Sequence, residues 1–181
     1  MEDQWRIASY QSEWRQLFFH TGTLLRKAMK ETAIRIDHIG STSIEGLAAK
    51  PIIDIQISVA DYQNLACYQL KIESIGFILR SENPDLSKRY FRERPGDRRT
   101  HIHVRQVGSY SEQLSLLFRD YLRLHPEDCL RYAREKHRLM KEFYHERAQY
   151  VEGKGPIVWD ILQRAHTWSQ NIGWEPGPSD L

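Results

Sequence analysis

The chain has 181 residues, of which 26 are lysine or arginine, 24 are aspartate or glutamate and 40% are apolar. This length predicts a single compact domain over residues 1–181, large enough to bury a core without disulfides or a structural metal. The composition excludes a disordered chain, and the apolar runs are too short for a membrane span.

The first third of the chain alternates between helical and strand patterns. Apolar residues at helical spacing predict a helix over residues 12–30, and apolar–polar alternation predicts a strand over 34–39. Small residues predict a tight turn at 40–43, followed by a short helical turn around 44–48. Residues 51–59 are rich in β-branched side chains and predict a strand that is buried on both faces.

The middle of the chain contains three further strand patterns. Asp61 is the predicted N-cap of a helix that runs to about Ser74. Strands are predicted next over residues 77–80, 88–94 and 100–107, because turn residues separate these runs. With the two earlier strands, they provide enough strands for one sheet.

The last part of the chain is predicted to be helical. The pattern extends over about residues 111–170, with breaks near 125–126 and 153–156. Residues 174–181 contain Pro and Gly and are predicted to form a loose tail. The order of elements predicts the α/β (α+β) class, with a mixed β-sheet flanked by helices and a helical C-terminal part.

Cysteine usage and the N-terminal residues bear on the cellular compartment. Cys67 and Cys129 are the two cysteines, and neither stands in a spacing typical of a zinc site. The first six residues lack the basic stretch followed by apolar residues that marks a signal peptide. We therefore expect a cytoplasmic protein that does not associate with a membrane.

The positive charge is unevenly distributed along the chain. Residues 80–105 hold eight basic and four acidic side chains, whereas the remaining residues hold 18 basic and 20 acidic ones. A local excess of positive charge favours an anionic ligand, and overall near-neutrality argues against a general polyanion binder. The alternative is a solvated, arginine-rich hairpin without a ligand.

The turn after the first predicted strand has the composition of a phosphate-binding loop. In residues 38–46, Gly40 permits close approach of the backbone, and the hydroxyls of Ser41 and Ser43 can donate to phosphate oxygens. Backbone N–H groups exposed at such a turn can bind phosphate as well. The segment is not a Walker A loop, because Leu47 stands where the lysine belongs. The alternative is an ordinary tight turn.

Asp54 lies in the middle of the apolar strand predicted over residues 51–59. A carboxylate is costly to bury there unless it binds a cation or accepts several hydrogen bonds. Gln56 points to the same face of the strand, so Asp54 and Gln56 are candidate metal ligands. The alternative is a buried aspartate that is satisfied by backbone N–H groups, by Lys50 or by an arginine.

His101, His103 and Arg105 share one face of the strand predicted over residues 100–107. The two histidines can bind a metal, act as acid and base, or contact phosphate. Such a pair also occurs by chance on surface strands. A candidate phosphate-facing rim of arginines lies just upstream. It consists of Arg89, Arg92, Arg94, Arg98 and Arg99.

Two Tyr/Lys pairs stand on the predicted C-terminal helices, Tyr132 with Lys136 and Tyr150 with Lys154. Aromatic and basic residues on helices more often pack and solvate a face than bind a ligand. These four residues are therefore weaker candidates for a site than the segments described above.

Together these segments resemble the GrpB family. The string HIGSTSIEGLAAKPIIDI over residues 38–55 carries most of the resemblance, and THIHV at 100–104 and LFRDYLRLHP at 117–126 add to it. The two Tyr/Lys pairs extend it further. The resemblance covers about residues 5–170 and implies a nucleotidyltransferase-like α/β fold, which also occurs as a domain attached to some dephospho-CoA kinases.

The resemblance also implies roles for individual residues. In nucleotidyltransferases a Gly-Ser turn binds the triphosphate, and acids on the following strands hold two Mg²⁺ ions. Gly40 and Ser41 match the turn, Asp54 matches the first acid, and Gln56 takes the place of the second. Because a two-metal site needs several anionic ligands, the expectation is one Mg²⁺ held by Asp54, with Gln56 beside it, and by nucleotide phosphates.

Two other positions depart from the nucleotidyltransferase or GrpB pattern. His101 or His103 stands near the place of the third acid, and Glu45 replaces the proline usual in the GrpB pattern. The resemblance thus implies that the two histidines act in acid–base catalysis or contact phosphate.

The resulting hypothesis is a nucleotidyltransferase-like protein that binds a nucleoside triphosphate with Mg²⁺ and transfers a nucleotidyl group to a small acceptor. Its catalytic residues are Asp54, His101 and His103. Its phosphate-binding residues are Gly40, Ser41, Ser43, Lys50, Arg92 and Arg105. The alternative is a catalytically degenerate module that binds a nucleotide, CoA, another phosphorylated metabolite or a protein partner. Nucleic acid is not expected, because aromatic side chains are few in the basic segment.

Overall fold

The computed structural model describes residues 6–181. Residues 1–5, which the single-domain prediction and the signal-peptide argument include, lie outside the described residues. The described strands are β1 (Arg35–Ile39), β2 (Ile53–Val59), β3 (Phe77–Leu79), β4 (Arg89–Glu93) and β5 (Thr100–Gln106). The α-helices are α1 (Glu13–Met29), α2 (Gln69–Glu73), α3 (Tyr110–Leu124), α4 (Pro126–Glu142), α5 (Arg147–Gly153) and α6 (Gly155–Ile172). No helix within residues 6–181 combines the length and apolarity needed to cross a membrane.

The five strands form one mixed sheet in the order β1-β2-β5-β4-β3. β2 and β5 are parallel, whereas the other neighbouring pairs are antiparallel. The parallel pair lies in the middle of the sheet, and helices flank the sheet as the sequence predicted.

One face of the sheet is apolar and forms the main core. Ile55 and Ile102, which are fully buried, point to this face from the two central strands. Helix α1 covers the face with Trp14 and Phe18, which are also buried. The helix therefore forms because its apolar stripe, spaced at three to four residues, has a continuous apolar surface to bury.

The opposite face of the central strands is polar, and α3 packs over part of it. Glu112 of α3 accepts a hydrogen bond from the Ser58 hydroxyl at 2.6 Å, and its main-chain oxygen accepts one from the Gln56 amide at 3.3 Å. Ser109 caps the helix by accepting from the Glu112 N–H. A second apolar core, formed by α3, α4, α6 and the segment after β1, joins the C-terminal helices to this side.

The helix predicted from Asp61 to Ser74 is mostly wrong. The Asp61 carboxylate accepts a hydrogen bond from the Gln63 N–H at 2.9 Å, two residues away, and so closes a local turn. A short 3₁₀ turn follows at Leu65–Cys67, and α2 is only five residues long. The side chain that was expected to cap a helix instead stabilises a competing turn.

The helical turn expected around residues 44–48 lies earlier, at Ser41–Ser43. Both the N–H and the hydroxyl of Ser43 donate to the carbonyl oxygen of Gly40, at 3.2 and 2.6 Å. These two bonds close the turn immediately after β1. The structure also breaks the C-terminal helices once more than predicted, between α4 and α5.

Residues 174–181 are not a loose tail. Ser179 accepts a hydrogen bond from the Ile36 N–H at 2.8 Å, and the Leu181 N–H donates to the Ile36 carbonyl at 3.2 Å. Asp180 accepts from the His38 N–H at 2.9 Å and from Arg119 at 3.2 Å. The tail thus satisfies the main-chain groups of β1, the edge strand of the sheet, which would otherwise be unpaired.

We predict that Asp180→Ala lowers the free energy of unfolding by about 1–3 kcal/mol, because it removes acceptors for a main-chain N–H and a buried guanidinium. Urea unfolding followed by circular dichroism measures the change. Asp97→Ala, in the exposed turn between β4 and β5, is the control and should cost less than about 0.5 kcal/mol. Equal effects of the two substitutions would show that the tail contributes no stability.

Candidate functional site

The parallel pairing of β2 with β5 brings three candidate site residues together. Asp54 is the register partner of His101, and Gln56 is the partner of His103. Alternation along each strand places Asp54, His101 and His103 on the same polar face. The Asp54 Oδ1 atom lies 3.2 Å from His101 Nδ1 and 3.1 Å from His103 Nε2. One carboxylate oxygen therefore contacts both imidazole rings.

Gly40 allows the turn after β1 to approach this carboxylate closely. Its backbone has φ +70° and ψ −176°, a conformation essentially restricted to glycine. A Cβ atom at this position would lie 2.6 Å from Asp54 Oδ2. The glycine predicted to approach a phosphate thus first makes room for the side chain of Asp54.

The contacts between these groups set their protonation. Burial by itself would raise the pKa of Asp54, but hydrogen bonds from His101 and His103 hold it well below its usual range. Burial lowers the pKa of His103 to about 4, although Asp54 opposes this shift. At neutral pH the carboxylate is therefore ionised, and the neutral His103 ring donates to it from Nε2.

Tyr90 fixes the two histidine rings from the neighbouring strand. In β4 it is the register partner of His103, and its ring centroid lies 5.4 Å from both imidazole centroids. Burial raises the pKa of Tyr90 to about 12. Tyr90 was not among the predicted site residues, although it stands in the strand predicted over residues 88–94.

A cleft of about 280 Å³ opens beside Asp54 and His101. Its walls come from the turn after β1, the start of β2, the start of β5 and helices α4 and α5 with the residue that follows. Within residues 6–181, five basic side chains line the cleft, and Asp54 is the one acid among the residues that line it. The basic residues are Lys50, Arg99, Lys136, Arg147 and Lys154.

The lysines of this cleft are partly or largely buried, and each lies near other lysines or arginines. Burial, together with the nearby Lys154 and Arg147, lowers the pKa of Lys50 to about 8. Burial and Lys154 lower the pKa of Lys136 to about 7. Burial likewise lowers the pKa of Lys154. Crowding of like charges in a partly buried cleft is the electrostatic condition that an anionic ligand relieves.

The rings of two tyrosines support these lysines. Lys136 Nζ lies 4.5 Å from the Tyr132 ring centroid, and Lys50 Nζ lies 3.8 Å from that of Tyr150. Lys136 also donates to Ser41 Oγ at 3.2 Å. Burial raises the pKa of Tyr132 to about 12 and leaves its hydroxyl protonated at neutral pH.

Several residues predicted to contribute to the site are held elsewhere. The Gln56 carbonyl oxygen accepts from Arg105, and the Gln56 side chain is fully buried, so it offers no metal ligand. Arg105 donates to Ser115 as well, at 2.8 Å, and so belongs to the packing of α3 on the sheet. Gln56, expected to bind metal, and Arg105, expected to bind phosphate, thus have partners under α3, and neither lines the cleft.

Arg92 and Ser43 are also placed differently from the prediction. Arg92 donates to Glu93 at 2.6 Å and lines a separate surface cavity near the β4–β5 turn. The Ser43 hydroxyl is bonded to Gly40, as described above. Of the predicted phosphate ligands, Ser41 and Lys50 line the cleft beside Asp54.

A second cavity of about 390 Å³ lies near the same turn. It is lined by two arginines, Arg15 and Arg123, but also by the acids Glu45 and Asp180. His38 borders it, donates to the Thr42 hydroxyl at 3.1 Å and is stacked on a phenylalanine ring. Burial lowers the pKa of His38 to about 3, so the ring is a neutral support for the turn. Balanced charge makes this cavity a weaker anion site than the cleft.

The C-terminal helices contribute more residues to the cleft than their sequence pattern indicated. The Tyr132/Lys136 and Tyr150/Lys154 pairs, interpreted as packing and solvated residues, both line the cleft, and Arg147 was not singled out. The available signal was the repeated spacing of a tyrosine four residues before a lysine. That spacing places both side chains on one face of a helix.

The donor set around Asp54 does not fit a Mg²⁺ ion held by the protein. Mg²⁺ prefers oxygen ligands in octahedral geometry, whereas the described residues near Asp54 offer one carboxylate and two imidazole nitrogens. The amide oxygen of Gln56, the expected second ligand, is bonded to Arg105. Gln56 is therefore unavailable as a metal ligand in this structure, and a Mg²⁺ held by Asp54 and nucleotide phosphates stays a prediction.

Comparisons with known proteins agree with the fold and the motifs. The family model described as GrpB protein matches residues 4–164. The chain belongs to the GrpB family. The UPF0157 protein BH1888 of Halalkalibacterium halodurans is 33% identical over 160 residues, covering 88% of this chain and 82% of that protein. The UPF0157 protein PA4798 of Pseudomonas aeruginosa is 34% identical over 167 residues, covering 91% and 69%.

Solved structures share the mixed α/β fold of this chain. The conserved protein GrpB from Enterococcus faecalis superposes with a TM-score of 0.82 at 30% identity, over 94% of this chain and 100% of that one. Cid1, in complex with its short product ApU, superposes with a TM-score of 0.50 at 15% identity, over 74% and 42%. The second similarity concerns the fold alone.

The GrpB domain also matches part of a larger enzyme. The dephospho-CoA kinase of Mycolicibacterium paratuberculosis is 28% identical over 206 residues, covering 94% of this chain and 48% of that protein. The chain thus spans about half the length of this kinase. The match supports the relationship between GrpB domains and dephospho-CoA kinases that the sequence resemblance implied.

We predict that Gly40→Ala destabilises the protein by about 1–3 kcal/mol, because the new Cβ meets Asp54 and the backbone conformation is strained. The control is Gly46→Ala, since Gly46 also has a positive φ, +79°, but a Cβ there meets nothing within 4 Å. Chemical unfolding of both variants measures the difference. A Gly40→Ala variant as stable as Gly46→Ala would contradict the close approach to Asp54.

Proposed function

We propose that the cleft beside Asp54 binds the phosphate groups of a small molecule, and that this molecule is a nucleotide. The observation that carries the proposal is the convergence of five basic side chains with a single carboxylate on one cleft. Arginine and lysine are the usual phosphate ligands in proteins, through charge-assisted hydrogen bonds.

The shape of the basic surface supports a small ligand. The cleft is near the lower end of the range of small-molecule pockets, roughly 300–1,000 Å³, a volume that suits a phosphate chain. The basic residues converge from four segments of the chain instead of following one extended stripe, as nucleic-acid binding would favour. A cytoplasmic protein, the location expected from the sequence, would meet nucleotides and phosphorylated metabolites there.

Nucleotidyl transfer is the catalytic form of this proposal. An acceptor hydroxyl would attack the α-phosphorus of a bound triphosphate, and the bond from the α-phosphorus to its bridging oxygen would break. Pyrophosphate would leave with the electron pair, and the hydroxyl proton would pass to His101, the histidine that lines the cleft. The basic residues of the cleft would stabilise charge that develops on the phosphates.

The binding-only form is the second candidate, and the burial of Gln56 favours it. Nucleotidyl transfer by two metals needs several anionic ligands, and Asp54 is the one acid among the described residues that line the cleft. Asp37, on the same face of β1, is paired with Arg35 and Arg119. A nucleotide, CoA or another phosphorylated metabolite would satisfy the same basic residues. Release of pyrophosphate from a bound triphosphate, measured by a coupled assay, separates the two forms.

We predict that the purified chain binds at least one phosphorylated ligand in a single site. Isothermal titration with ATP, GTP, CTP, UTP, CoA and dephospho-CoA, each in the presence of Mg²⁺, tests this. Adenosine is the matched control ligand, because it lacks phosphate and should give no heat. No binding of any phosphorylated ligand would refute the proposal.

We also predict that Lys154→Gln weakens binding of that ligand by roughly 10- to 100-fold, because a hydrogen bond between charged groups contributes about 1.5–3 kcal/mol. Lys141→Gln is the control, since Lys141 is exposed on α4, outside the cleft. The same titration measures both variants. Equal affinities for the two would place the phosphate groups outside the cleft.

A further inference from the structure

Asp54, His101 and His103 have the arrangement of three ligands around one ion. One candidate ligand atom from each side chain lies within 4.8 Å of the others. Two atoms bound to one metal at about 2.0–2.1 Å, and about 90–110° apart, are separated by about 2.9–3.4 Å. The separations of Asp54 Oδ1 from the facing nitrogens, 3.2 and 3.1 Å, fall in this range.

We propose that Asp54, His101 and His103 bind one divalent transition-metal ion, such as Mn²⁺, Co²⁺ or Zn²⁺, in preference to Mg²⁺. Imidazole nitrogen suits Zn²⁺ and the later transition-metal ions, and Mn²⁺ accepts a mixed set of carboxylate and imidazole ligands, whereas Mg²⁺ is bound mainly by oxygen. Two imidazoles and one carboxylate leave further coordination positions open for an exogenous ligand. The inference does not rest on nucleotide binding, because the three ligands come from the protein itself.

The described residues allow both rings to turn a lone pair toward the ion. His101 Nε2 and His103 Nδ1, the nitrogens that face away from Asp54, are buried and have no hydrogen-bond partner within residues 6–181. No outer donor therefore holds the rings in the tautomer that keeps a proton on the inner nitrogens. Metal binding would move the ring protons to the outer nitrogens, which have no acceptor among the described residues. The ion would replace the hydrogen bonds that the rings now donate to Asp54.

The surroundings hold the three ligands in place and leave the site accessible. All three stand on the paired central strands, and Tyr90 packs against both rings. Asp54 and His101 line the basic cleft, and Asp54 and His103 line a neighbouring, mostly apolar cavity. An ion at this position would therefore face the cleft, where a phosphate oxygen or water could complete its coordination.

Titration of the metal-free full chain with Co²⁺ tests the proposal directly. We expect one equivalent to bind with visible d–d absorption, and competition to show that Zn²⁺ and Mn²⁺ also bind more tightly than Mg²⁺. His101→Ala and His103→Ala should each weaken binding by more than the roughly 10- to 100-fold that changes beyond the direct ligands can cause. No nucleotide is present, so failure here and failure of phosphate binding are distinguishable.

Two controls exclude other ligands for the ion. His137→Ala removes an exposed histidine of α4, and Cys67→Ser removes an exposed thiol that could itself bind Co²⁺ or Zn²⁺. Both variants should bind as the unmodified chain does. Absence of saturable one-to-one binding, tighter binding of Mg²⁺, or full binding by the His101→Ala and His103→Ala variants would each overturn the proposal.

A second measurement keeps the test decisive where a histidine variant fails to fold, as judged by circular dichroism. Pulsed electron paramagnetic resonance of the unmodified chain with bound Mn²⁺ should detect nitrogen couplings from two imidazoles. A bound Mn²⁺ with oxygen ligands alone would contradict the assignment.

Discussion

The parallel pairing of β2 with β5 is the interaction on which the rest of the site depends. Its register sets Asp54 opposite His101, and His103 follows two residues later on β5. All three side chains therefore point to the polar face of the sheet. The same pairing turns Ile55 and Ile102 to the apolar face, where α1 covers them. A shift by one residue would exchange the two faces and place the carboxylate in the core. Burial of the apolar face therefore fixes the geometry of the polar one.

The polar face of the sheet has two neighbouring regions that differ in charge, one beneath α3 and one near Asp54. Beneath α3, Arg105 bonds to the uncharged Gln56 amide, and the nearby carboxylate of Glu112 opposes its charge. Near Asp54, by contrast, basic side chains from α4 and α5 outnumber the single acid. The C-terminal helices thus serve both to cover the sheet and to build the wall of a cleft. That double role connects the helical half of the chain to the phosphate-binding proposal.

Much of the fold could be predicted from the sequence, because it depends on local patterns. The β-branched run around Ile55 and the apolar stripe of α1 both formed the elements expected of them. The prediction for Asp61 was wrong because its side chain can either cap a helix or close a turn, and in the structure it closes a turn. The residues after Gly173 were expected to be loose because Pro and Gly are common in tails. Their polar side chains instead find partners on β1, which no local pattern reveals.

The site was predictable where its residues lie on the two central strands and not where they come from distant helices. Asp54 and the two histidines were recognisable in the sequence because they are polar residues within apolar strands. The resemblance to the GrpB family then implied that they belong to one site. Arg147 and the two Tyr/Lys pairs reach the cleft through tertiary packing, so their spacing alone gave a weaker signal.

The most direct measurement is a crystal structure of the chain with Mn²⁺ and ATP, using anomalous scattering. Our account predicts Mn²⁺ bonded to Asp54 and both histidines, with phosphates against Lys154 and Lys136. Phosphates bound in the cavity lined by Arg123, or Mn²⁺ remote from Asp54, would contradict it.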